Sequence, residues 1–91
     1  MPDLTNLIDG QLRPASSGRY LAVVEPATAA VHSRVPDSSA DDVNAAVAAA
    51  QRAFPAWSAT PAAERSRHLM RLADLIDVNL ERLAAAESID T

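Results

Sequence analysis

The chain has 91 residues and a formal net charge of −4, with eight arginines, no lysine and no cysteine. That length holds one small domain at most. The acidic balance speaks against a phosphate backbone as partner, and the missing cysteines exclude disulfides and thiolate metal sites.

The apolar fraction is 48%, but alanine supplies much of it, and Tyr20, Phe54 and Trp57 are the only aromatics. A chain of this size buries only about 60% of its unfolded surface, so alanine-rich sequence leaves little bulk for a core of its own. The start, Met1-Pro2-Asp3, lacks the basic and apolar regions of a signal peptide. The longest apolar run, Ala45 to Ala50, is far short of the ~20 residues that span a bilayer. These features predict a soluble, cytoplasmic protein.

The first forty residues read as strands and turns. Leu7-Ile8-Asp9-Gly10-Gln11-Leu12 is an apolar stretch broken by a glycine, which predicts a tight hairpin turn. Pro14-Ala15-Ser16-Ser17-Gly18 is loop punctuation. Tyr20 to Val24 is β-prone and stops at Glu25-Pro26, where proline removes a ladder donor. After the turn Ala27-Thr28-Ala29-Ala30, Val31 to Val35 predicts another strand, with Val31, Ser33 and Val35 on one face and His32 and Arg34 on the other. Pro36-Asp37-Ser38 closes it. Two or three short antiparallel strands are expected.

From Ser39 the pattern turns helical. Ser39 suits an N-cap, and Asp42 takes the capping-box position three residues on. Asp41 and Asp42 also suit the positive end of the helix dipole. Val43, Ala46, Val47, Ala50 and Phe54 follow the 3.6-residue period as one stripe, and Pro55 is expected to end the helix. Thr60-Pro61 is a second start signal, a capping hydroxyl before a proline at the first helical position. Leu69, Leu72, Ala73, Ile76 and Leu80 form the next stripe, widened by Met70 and Leu75. Asp77-Val78-Asn79 predicts a bend, with Asn79 capping a further helix through Leu83 and Ala84. Two or three helices follow.

Counting excludes several chemistries. The two glycines, Gly10 and Gly18, cannot make a dinucleotide fingerprint, which needs three close together. A P-loop needs a lysine. His32 and His68 stand far apart, with no His-Glu-x-x-His between them, and no Gly-x-Ser-x-Gly elbow occurs. The remaining candidates have plainer readings. Asp74, Asp77 and Glu81 share a helical face and could form a carboxylate site, but a solvated face explains them. Arg65, Arg67 and Arg71 could form an anion patch, but surface pairing with Glu64 and Asp74 explains them. His32 and His68 lack an evident partner for proton transfer. Trp57, between Pro55 and Pro61, is expected to anchor the inter-helix turn against a core rather than to serve as a ligand platform.

The residues then point to a family. Leu7-Ile8-Asp9-Gly10-Gln11-Leu12 resembles the opening hairpin of the aldehyde dehydrogenase superfamily. Ser16-Ser17-Gly18-Arg19 and Glu25-Pro26-Ala27-Thr28 resemble its Ser-Gly-Lys and Asn-Pro-Ala-Thr-Gly-Glu segments. Asp41-Asp42-Val43, Ala46-Val47, Ala49-Ala50 and Ala53-Phe54-Pro55-Ala56-Trp57 are similar to its first helix. Pro61, Glu64-Arg65, Leu69, Leu72-Ala73-Asp74-Leu75-Ile76 and Glu87-Ser88-Ile89-Asp90-Thr91 continue the pattern. Asp9 and Glu25 each replace the family's asparagine, and Ala29-Ala30 replace its Gly-Glu, so the turn at Ala29 is expected to change, because alanine tolerates positive φ poorly. Ile8-Asp9-Gly10, Arg34-Val35-Pro36 and Phe54-Pro55-Ala56-Trp57-Ser58 look most like the 2-hydroxymuconic and 2-aminomuconic semialdehyde dehydrogenases.

The resemblance implies an α+β fragment of an α/β aldehyde dehydrogenase fold. Residues 1–91 would be an incomplete N-terminal part of the cofactor-binding domain, with strands over about 7–35 and helices over about 40–54 and 61–88. The complete enzyme would oxidise an aldehyde to its acid with reduction of NAD or NADP, and would be a homo-oligomer. Its catalytic cysteine and glutamate and its cofactor-binding residues lie later in the family's chain, so no catalytic, cofactor-binding or metal residue is assigned here. Some members hold a monovalent cation with carbonyls that correspond to Val23 and Val24, but the other ligands would lie beyond Thr91, so no working metal site is expected. The partner would be the remainder of the subunit, with neither nucleic acid nor membrane involved, and the segment alone would be inactive and poorly folded. A free-standing small interaction module docking onto a partner is the alternative reading.

Overall fold

The computed structural model describes residues 3–91. Its elements in chain order are β1 (Asn6–Ile8), β2 (Gln11–Arg13), β3 (Tyr20–Val24), β4 (Val31–Pro36), α1 (Ala40–Ala59), α2 (Ala62–Val78) and α3 (Leu80–Asp90). The α+β class is as expected. The strands number four, because each arm of the Leu7–Leu12 hairpin is a strand in its own right. They pair as two separate antiparallel hairpins, β1 with β2 and β3 with β4.

The first hairpin turns through Asp9 and Gly10, with Ile8 opposite Gln11. Both turn residues have positive φ, 54° and 72°, as a two-residue type I′ loop requires and as Asp-Gly supplies at least cost. Period-two alternation sends Leu7 and Leu12 outward, opposite each other, and Ile8 inward.

The second hairpin carries a bulge. Val23 faces Ser33 while Val24 faces Val31, so His32 is the extra residue on β4. A bulge breaks alternation and re-aims the side chains around it. The expected common face of Val31, Ser33 and Val35 is accordingly split: Ser33 is buried and Val31 is exposed, while His32 turns partly inward beside Ser33.

The β3–β4 turn is satisfied from within. The Glu25 N–H donates to the Ala30 carbonyl at 2.8 Å, the Ala29 N–H donates to the Glu25 carbonyl at 2.8 Å, and the Thr28 hydroxyl donates to the Glu25 carboxylate at 3.0 Å. Ala29 keeps the left-handed conformation, φ 59°, so the missing glycine leaves strain in the turn rather than a different turn. An L-residue there gives up ~1–2 kcal/mol relative to its usual basins. Ala29→Gly relieves that strain and is expected to stabilise the hairpin by about 0.5–1 kcal/mol after the added unfolded-state entropy, read as slower amide exchange at Val24 and Val31.

Helix α1 runs through Pro55 to Ala59, past the predicted end. Proline forfeits one i→i−4 bond, and the carbonyl it would have used belongs to Gln51, which is exposed and has water for a partner. The helix stops where Thr60 turns extended before Pro61, as a residue preceding proline prefers. The Thr60 hydroxyl donates back to the Ala56 carbonyl at 2.8 Å. It therefore closes α1 instead of opening α2, and Pro61 itself takes the N-cap position of α2. The bend near Asn79 is present, but the Asn79 side chain donates to the Leu75 carbonyl at 2.8 Å. Asn79 takes the N-cap position of α3 as expected, but its side chain serves the end of α2.

Burial is sparse. Among the described residues only Ile8, Ala15 and Ser33 are buried, and no helix buries a single residue. The radius of gyration is 16.6 Å and the extents are 48 × 34 × 16 Å, whereas a compact domain of this length has a radius of about 12 Å. The segment is a plate whose helices lie open on at least one side. Among the described residues no helix is long and apolar enough to cross a membrane.

Candidate functional site

The most closely knit polar cluster lies where the loop after β2 meets the amino end of α1. The Ser39 N–H donates to Asp42 Oδ2 at 2.9 Å, the acidic half of the expected capping box. The Ser16 N–H donates to both Asp42 oxygens at 3.1 and 3.2 Å, and the Ser16 hydroxyl lies 3.0 Å from that of Ser39. The Asn6 side chain donates to the Ser38 hydroxyl at 2.8 Å, tying the first hairpin to the same corner. The donated N–H of Ser39, above all, holds the Asp42 carboxyl below the usual carboxylate range; partial desolvation opposes this, and the Ser16 donors reinforce it.

Because the folded value is depressed, the stabilisation is present above the unfolded aspartate value of ~3.9 and is lost as pH falls through the folded value. Helix content followed by circular dichroism is expected to drop on acidification below about pH 4. Asp42→Asn should lower it at neutral pH and flatten that acid step.

A second polar knot fixes the segment before β1. Arg34 grips Asp3 with two hydrogen bonds of 2.6 Å, from Nε and Nη2, while its guanidinium lies 4.5 Å from the Tyr20 ring centroid. The Leu4 N–H donates to the Arg34 carbonyl at 2.8 Å. The Arg34 hydrogen bond is the main reason that the Asp3 carboxyl sits below its ordinary range. These contacts position backbone and present no reactive group to a cleft.

The side chains weighed from sequence are scattered. Asp74, Asp77 and Glu81 are all exposed on α2 and α3. Arg67 and Arg71 are exposed and Arg65 half-buried. Among the described residues, none of the three arginines pairs with Glu64 or Asp74 within 4.0 Å. The expected surface pairs do not form, since ordering two long exposed side chains offsets the small Coulomb gain in water. Trp57 does hold the α1–α2 turn, but against a histidine instead of a core. Its ring lies 5.6 Å from that of His68, tilted by 56°, and Trp57 remains 45% exposed. His32 has a partner that its sequence surroundings gave no sign of: its Nε2 lies 2.8 Å from Asp90 Oδ1 at the end of α3. No local signal could have shown this, because the contact crosses from β4 to α3.

Val23 and Val24 flank the bulge in the β3–β4 ladder. Among the described residues no group of three or more His, Asp or Glu side chains could hold a metal ion. Two of the open grooves among the described residues adjoin the helical stripes. One of about 310 Å³ runs between the first hairpin turn and α1, lined by Ile8, Gly10, Ala46, Ala50 and Ala53 among others. The other, of about 420 Å³, lies beside Trp57, Arg65 and Leu69. Around them stand the two helical stripes with their large side chains half to two-thirds exposed: Val43, Val47 and Phe54 on α1, and Leu69, Leu72 and Ile76 on α2. Among the described residues these stripes form an exposed apolar surface.

Fold and sequence together match known proteins over nearly the whole chain. The family described as "Aldehyde dehydrogenase family" matches residues 12–91, and the chain belongs to that family. The 2-aminomuconic semialdehyde dehydrogenase of Homo sapiens is 48% identical over 87 residues, 96% of this chain and 18% of that protein. PnpE from Pseudomonas sp. WBC-3 is 46% identical, with a TM-score of 0.91 over 96% of this chain and 18% of its own. PnpE has also been solved in complex with nicotinamide adenine dinucleotide. The NAD-dependent aldehyde dehydrogenase of Sinorhizobium meliloti is 42% identical, with a TM-score of 0.91 and the same shares covered. The chain thus spans about 18% of the length of the relatives it matches.

Proposed function

We propose that residues 1–91 are the N-terminal scaffold of an NAD(P)-dependent aldehyde dehydrogenase that oxidises a semialdehyde to its carboxylic acid in the cytoplasm. The observation that carries this reading is the pair of uncovered helical stripes in a chain that spans 18% of its relatives. Apolar surface on that scale is stable in water only when something covers it, and the remainder of such a subunit is the cover that the similarity supplies. The segment is then an incomplete part of the cofactor-binding domain, and the working enzyme is a homo-oligomer.

The residues present do not fit a dinucleotide. The amino end of α1 would suit a phosphate, but the chain's own Asp42 carboxylate takes the Ser39 and Ser16 N–H groups there. Neither the glycine-rich turn nor a lysine is available. Hydride transfer and the covalent step therefore belong to residues outside this segment, and none of its side chains is assigned to them.

The test is aldehyde-dependent NADH formation with a panel of semialdehydes and simple aldehydes. The polypeptide encoded by the whole reading frame is expected to be active, and the 91-residue segment inactive with NAD or NADP. Turnover by the segment alone would sink the reading, as would a whole-frame product that folds but oxidises no aldehyde.

A further inference from the structure

Asp90 lies in a turn of α3 that contains no basic residue, and it meets His32 from another element. Its Nε2 lies 2.8 Å from Asp90 Oδ1, close enough for an ion pair though off the line of a hydrogen bond.

The presentation of His32 is built in. It is the extra residue of the β-bulge, its side chain is 17% exposed, and its Nδ1 lies 3.1 Å from the hydroxyl of the buried Ser33. With both ring nitrogens protonated, Nδ1 donates to that hydroxyl and Nε2 faces Asp90 as the cationic side of the pair. Regular alternation on β4 would send His32 and Ser33 to opposite faces, so the bulge is what lets neighbouring residues act together.

We propose that His32 and Asp90 form a latch between β4 and α3, with His32 as a positioning residue that holds this turn of α3 against the hairpin. Nothing else among the described contacts does this as directly, since α3 packs mainly on α2 and buries no residue. The latch rests on these contacts and not on the dehydrogenase reading.

The test is hydrogen exchange with mass spectrometry on the whole-frame polypeptide, with no substrate present, so its outcome is separate from that of the activity assay. His32→Ala and Asp90→Asn are each expected to speed exchange of the amides at Glu87 to Thr91 about two- to fivefold, the range of a partly exposed ion pair. The double variant should be no faster than either single one. His32→Arg, which retains a cation, should recover most of the protection when Asp90 is present and none with Asp90→Asn. Additive effects, failed rescue, or an equal rise in the amides of the first hairpin would overturn the latch, since each marks general loosening and not a specific coupling.

Discussion

The 91-residue segment by itself is expected to bind ANS strongly and to lose its helical signal gradually on heating, without a sharp cooperative transition. Helices α1 and α2 each carry an apolar stripe, yet no helix buries a residue, and Phe54, Met70 and Leu69 are each more than 60% exposed. Isolated helices of this length are marginal in water and owe most of their stability to packing. Ordering the backbone costs about 1–2 kcal/mol per residue, and the three buried residues offset very little of it. The net stability should fall below the ~5 kcal/mol that marks the lower end for ordinary domains. Circular dichroism melting and ANS fluorescence check this directly. A steep transition with weak ANS fluorescence would mean that the stripes cover one another in solution. Continuing the chain with the rest of the reading frame is expected to restore a cooperative melt.

The second large effect is expected at Ile8. It is the only large apolar side chain buried among the described residues, at 7% exposure, and it lies where the first hairpin meets α1. Ile8→Ala should cost about 2–4 kcal/mol, comparable to all the stability the hairpin has, so the amides of Leu7 and Leu12 should lose their protection from exchange. Leu7→Ala and Leu12→Ala in the same segment should change stability by no more than about 0.5 kcal/mol, because those side chains are 69% and 74% exposed. Equal effects at positions 7 and 8 would show that the register, and with it the assignment of faces, is wrong.

Local chemistry was legible wherever neighbouring residues set the outcome. Asp9-Gly10 specified its turn because few residue pairs tolerate two positive φ values in succession. Ser39 and Asp42 specified the start of α1, and Tyr20 to Val24 coincided with β3. Punctuation by proline was less reliable. Pro55 lies inside α1, where an exposed carbonyl can go without its backbone donor, and Thr60 turns back to close one helix rather than open the next. Both outcomes depend on the solvent exposure of a single carbonyl or on the direction of one hydroxyl, and residue order carries neither.

The family likewise was readable from residue order alone, because its packing motifs recur along the chain at fixed spacing. So was the lack of a glycine-rich turn, a lysine and a cysteine, since such features can be counted. Only the tertiary structure decided that β4 bulges at His32, that His32 meets Asp90, and that Asp42 gathers donors from Ser16 as well as Ser39. Periodicity shows that a helix has an apolar face but not what lies against it. That depends on contacts between residues distant in sequence, which exist only once the chain has folded.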